Sequence, residues 1–190
     1  MMMEEDLIKV KEIDIAKNKF MIHGIKIGKK YADFILFYAN KHKVDKEILF
    51  AFLCVESLNR NNLINNSLEK VGSLLFPNLL VKLDLSLGLG QVKISTAKKL
   101  LHMSEKNIVK RLLNTESNIS MVALLLKNYI IICKNQPQAR YLVNLYTTGK
   151  MHVPINRTLY LYIKLIEWSV NSQLFNKLLS NMYKNNKKQW

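Results

Sequence analysis

Acidic side chains are in short supply: 14 Asp and Glu stand against 29 Lys and Arg, a formal net charge of +15 over 190 residues. Such a field draws a protein toward polyanions, whether nucleic acid, acidic membranes or anionic cell-wall polymers, and does not choose among them. Arginine, the residue best suited to bidentate phosphate or base recognition, occurs only at Arg60, Arg111, Arg140 and Arg157. The charge is therefore a diffuse lysine coat, which argues against a specific nucleic-acid site. Two cysteines, Cys54 and Cys133, sit inside apolar helical patterns with no CxxC spacing. That excludes a disulfide-built scaffold and favours buried free thiols, with a bridge between the two left open. The four histidines, His23, His42, His102 and His152, fall at no metal-ligand interval, so neither metal nor other cofactor is expected. No stretch approaches the ~20 apolar residues of a membrane span. The start, MMMEEDLIKV, lacks the basic, apolar and small-residue segments of a secretory leader. A target outside the cytoplasm would then call for another export route.

Three prolines and six glycines leave little to interrupt helices, and 49% hydrophobic content suffices for a core. With no linker-like Gly, Ser or Pro tract and no repeat, the chain reads as one all-α or α-dominated domain. Residues 1–28 read as a leading arm, charged at first and then carrying a β-like run at Ile22, Ile25 and Ile27, with Gly24 and Gly28 as breakers. Tyr31, Phe34, Ile35, Tyr38 and Ala39 recur at helical spacing, and a second helix should follow Asp45 as its N-cap. An Asn-rich stretch (59–66) and a Leu-rich one (68–83, broken at Pro77) lead into LDLSLGLGQV, too glycine-rich for a helix interior. Helical patterns return at 94–102, 108–113, 119–133, 139–146, 159–170 and 175–183, before a basic tail.

Within the second helix Leu49, Phe52, Leu53 and Glu56 fall at i, i+3, i+4 and i+7, which puts a carboxylate on the apolar face. Desolvation there raises a carboxyl pKa, and an acid still protonated near neutrality can donate to a glycosidic oxygen. The competing reading is a helix-end Glu that turns to solvent.

Taken in order, YADFILFYANKHKVDKEILFAFLCVES, GLGQVKISTAKKL, NISMVALLLKNYI, NLYTTGK and TLYLYI resemble the successive motifs of the soluble lytic transglycosylases, relatives of goose-type lysozyme, over about residues 31–168. The resemblance implies a lysozyme-like fold, with the catalytic domain at 29–171 and a C-terminal helix and basic tail at 172–190. It implies Glu56 as the catalytic residue and Ser57, Gly88, Leu89, Gly90, Gln91, Tyr146, Thr147 and Tyr162 as substrate-binding residues. Thr96-Ala97 matches the opening of the helix after the glycine loop, and Asn118-Ile119 the start of the helix under the cleft. In such a mechanism Glu56 protonates the oxygen joining N-acetylmuramic acid to N-acetylglucosamine, then receives the proton of the muramic 6-hydroxyl as a 1,6-anhydro ring closes. Gly88 and Gly90 would let the backbone approach the sugar, or simply make a tight turn. Gln91 would bond loop backbone or substrate. Tyr146 would orient the Glu56 carboxyl, or serve as a core aromatic with a wet tip.

Two departures from the family pattern stand out. Thr147 replaces an asparagine and offers no amide, and the interval between Glu56 and Gly88 is long. The inserted stretch carries Glu69 and Asp84; Asp84, four residues before Gly88, is the better candidate for a second carboxylate of the hydrolytic, goose-type kind. An inactive basic domain that binds glycan or nucleic acid is the third reading. The implied partners are peptidoglycan strands and the anionic envelope, at the cell wall in the periplasm or outside the cell, without specific nucleic acid. A secretion, conjugation or phage-assembly partner would supply the route.

Overall fold

The computed structural model describes residues 2–59, 77–101, 105–134 and 138–186, and helices carry most of them. The Asn-rich stretch beyond 59, most of the Leu-rich segment and Glu69 lie outside the described residues. Helix α1 runs Met2–His42, α2 Lys46–Asn59 and α3 Pro77–Lys82. Strands β1 (Ser86–Leu87) and β2 (Val92–Lys93) form one antiparallel hairpin, pairing Ser86 with Lys93 and Leu87 with Val92. Then come α4 (Ile94–Leu101), α5 (Glu105–Leu113), α6 (Thr115–Ile132), α7 (Ala139–Thr148), α8 (Arg157–Asn171) and α9 (Leu174–Asn186).

The β-like run around Ile22–Ile27 is a misreading: α1 is one uninterrupted helix through Gly24 and Gly28. Isoleucines and glycines weaken a helix locally, but packing outweighs that preference. A Cβ on Gly24 would stand 3.1 Å from Phe50 Cζ, so the bare α-carbon lets α1 lie close against α2. On the same face Phe20 and Ile27 are buried, and Phe20 meets Trp168 of α8 edge-on at 6.0 Å.

The turn after α1 follows from two local devices. Lys43 adopts a left-handed conformation (φ 56°), and the amides of Lys43 and Val44 return to the carbonyls of Asn40 and Ala39. Asp45 then caps α2, its Oδ1 accepting from the amides of Glu47 (2.6 Å) and Ile48 (3.3 Å), as its position in the sequence predicts.

Helix α2 is the centre of the core. Every residue from Leu49 to Val55 is at most 1% exposed, because α1, α6, α8 and α9 pack around it. Phe50 stacks on Phe175 of α9 at 4.7 Å. The buried Glu47 accepts hydrogen bonds from the amides of Phe175 and Asn176, so its carboxylate closes the start of α9. Cys54 and Cys133 are both buried and free, and no bridge joins them. Among the described residues no helix is long and apolar enough to cross a membrane.

Candidate active site

The apolar stripe of α2 delivers Glu56 to the lining of a cavity of about 430 Å³. Leu49, Phe52 and Leu53 are fully buried and Glu56 is 9% exposed, so the carboxyl lies on the core-facing side, not in solvent. Burial pushes its pKa up from 4.5 to about 7; a hydrogen bond donated by the Tyr162 hydroxyl to Oε1 pulls the other way. Phe52, fully buried, packs behind the two cavity tyrosines, with its ring 5.1 Å from Tyr146 and 6.3 Å from Tyr162. Burial and the nearby Glu56 hold both tyrosine hydroxyls well above their ordinary pKa, so they stay protonated donors. Among the described residues Glu56 is the one carboxylate lining the cavity, and Lys93 the one cation.

The β1–β2 hairpin supplies the opposite wall, and a buried asparagine sets its shape. Asn118, fully buried at the start of α6, donates from Nδ2 to Leu87 O and Leu112 O (3.0 Å each) and accepts from Gly90 N at 2.7 Å. Gly88 has φ +77°, and a Cβ there would fall 2.1 Å from Leu112 O and 2.2 Å from Asn118 Nδ2. A Cβ on Gly90 would fall 2.2 Å from a methyl of Val122. Both glycines are thus required by close approach of the loop to α5 and α6. Leu89 packs on the core, and of the four loop residues Gln91 alone lines the cavity. Its Nε2 donates to Gly88 O at 2.8 Å, so the amide braces the turn it belongs to.

Three expected contacts fall elsewhere. The Tyr146 hydroxyl donates to Gly90 O at 2.6 Å and ties α7 to the glycine loop, while Tyr162 is the residue bonded to Glu56. A hydroxyl has one proton to give, and the loop carbonyl takes it. Ser57 is bonded to Leu53 O at 2.6 Å and lies 2.7 Å from His23 Nε2 of α1; it is not among the cavity-lining residues. Asp84 accepts from the amide and the hydroxyl of Ser95 (2.7 and 2.8 Å), holding the first turn of α4. Its carboxylate lines no part of the cavity. Thr147 does line it, but its Oγ1 donates back to Val143 O at 2.8 Å.

The cavity also has a lining that sequence reasoning passed over: Lys93, Tyr129, Asn156 and Thr158. Tyr129 lies in helical register with Asn118, Val122 and Leu125 along α6, a periodicity that marks it as facing the same way. Asn156 caps α8 through Leu159 N (2.9 Å). Its placement before an apolar run was a readable start signal.

A helical domain whose cleft holds, among the described residues, one carboxyl, beside a hairpin with a glycine turn, has the architecture of the lysozyme-like class. Residues 33–154 match the family model described as the transglycosylase SLT domain, and the chain belongs to that family. The fold is accordingly the helical lysozyme-like one, and the function a transglycosylase-family function on peptidoglycan, in the cell-wall region. No curated protein and no solved structure matches the chain. Helix α8, which supplies Tyr162 to Glu56, lies beyond the matched span.

Proposed function

We propose that this chain is a peptidoglycan lytic transglycosylase that cleaves the β-1,4 bond between N-acetylmuramic acid and N-acetylglucosamine with Glu56 as acid and then base. The carrying observation is a carboxyl, the one lining the cavity among the described residues, with its pKa raised to about 7, so that a large fraction is protonated at neutrality. Glu56 gives its proton to the glycosidic oxygen as the muramic C1–O bond breaks and positive charge develops at C1 and the ring oxygen. The muramic 6-hydroxyl attacks C1 within the same sugar and returns its proton to the Glu56 carboxylate. The acid is regenerated, no water is consumed, and the products are a free N-acetylglucosamine hydroxyl and a 1,6-anhydro end. The Tyr162 hydroxyl fixes the carboxyl, and Gln91, Tyr146 and Thr147 border the sugar path. The +15 charge favours adhesion to an anionic envelope.

A hydrolytic, goose-type course uses a carboxylate to activate water, and Asp84, held on Ser95 away from the cavity lining, does not favour it. Mass spectrometry of digested sacculi separates the two. Muropeptides lighter by one water than reducing-end products are expected. Reducing ends as the sole product would refute the intramolecular step.

A further inference from the structure

Lys93 is a charged group in the cavity that the proton transfers above do not use. Val92 and Ile94 on either side are 2% exposed, whereas Lys93 is exposed, and it lines the cavity beside Val92. Its ammonium forms no ion pair among the described residues. Burial and the Tyr162 hydroxyl, rather than Lys93, set the shift of the Glu56 carboxyl. Apart from Glu56 and Lys93, the polar groups on the walls are neutral: Ser86, Gln91, Thr96, Thr147 and Thr158 carry hydroxyls and an amide suited to sugar hydroxyls. The one cation lining the groove among the described residues complements an anion on an otherwise neutral glycan.

Peptidoglycan strands carry that anion as carboxylate. It is the lactyl carboxylate of muramic acid where the stem peptide has been removed, or a stem-peptide carboxylate where it remains. The geometry points to Lys93 as a specificity-determining residue that recognises a substrate carboxylate, an inference that rests on the peptidoglycan reading above. A compact ammonium on a flexible stem suits one carboxylate at the rim of the groove, and it confers preference for charged strands over neutral glycan of the same length.

The test reads binding in a catalytically silenced background, by calorimetry on Glu56→Gln and on Glu56→Gln/Lys93→Met. The ligands are denuded glycan strands with free lactyl carboxylates, the same strands with those carboxylates converted to methylamides, and uncrosslinked strands bearing stem peptides. Removing the ammonium is expected to weaken a carboxylate-bearing ligand about two- to fivefold, with Lys93→Glu weakening it further and the methylamide strands unaffected. Loss confined to denuded strands assigns the lactyl group, and loss confined to peptide-bearing strands assigns the stem peptide. Equal affinities of the two proteins for both carboxylate ligands, or an equal loss on the methylamide strands, overturns the assignment. Strands that bind with the expected penalty but are left uncut by the wild-type protein would uphold Lys93 and count against the lytic reading alone. Binding of no strand would overturn both.

Discussion

The Tyr162 hydroxyl donates its hydrogen bond to the Glu56 carboxyl across the gap between α8 and α2, with Phe52 packed against the tyrosine ring. That bond favours the ionised carboxyl and so opposes the upward push of burial. It also fixes the direction in which the acid points.

Tyr162→Phe should therefore do two things at once. The pKa of Glu56 rises further, which moves the high-pH limb of the kcat/KM profile to higher pH. The freed carboxyl loses its fixed orientation, and kcat falls by about tenfold or more. Rate profiles from pH 4 to 9 check both effects. A limb that stays in place would show that the tyrosine does not act on the acid.

Stability should carry the mark of the same group. The folded state holds the Glu56 proton up to about pH 7, whereas the unfolded chain releases it near 4.5. Between those values the unfolded state binds fewer protons, so stability is full below about 4.5, falls as pH rises to about 7, and then levels off. Glu56→Gln cannot ionise and escapes this loss. Its advantage over wild type should grow from near zero at pH 4 to about 3 kcal/mol at pH 8, read from denaturant unfolding at each pH.

The glycine loop depends on Asn118. Asn118→Ala strips partners from Gly90 N, Leu87 O and Leu112 O in a buried site, where each orphaned group costs about 1–3 kcal/mol. A loss of about 3 kcal/mol in urea unfolding is expected, with activity falling further than the unfolded fraction accounts for because Gln91 is no longer held. A variant as stable as wild type would show that the loop is fixed by other contacts.

Much of this site could be read from spacing alone. Leu49, Phe52, Leu53 and Glu56 define one helix face by arithmetic, and a carboxylate on that face is anomalous wherever the chain folds as a helix. The segment around Gly88 and Gly90 is likewise marked as non-helical by composition. What spacing does not encode is which partner a group takes when several come within reach. Tyr146 and Tyr162 both reach the cavity, and only the packing of α7 against the loop decides that Tyr146 gives its proton to Gly90 O. Asp84 found its partner, Ser95, on the far side of the β1–β2 hairpin, and Ser57 found His23 on α1, and no local pattern announces either. The isoleucines and glycines of α1 misled for a related reason: their helix is stabilised by Phe50 and Trp168, which are distant in sequence. Asn118 had a visible signal, as a polar residue in register with Met121, Val122 and Leu125 on an apolar stripe.

The most direct test is turbidity clearing of purified sacculi by wild type and Glu56→Gln at equal concentrations, after circular dichroism has verified that the variant is folded. The account predicts a rate lower by at least about 100-fold for the variant, the contribution expected of a general acid. Equal clearing by the two proteins would contradict it.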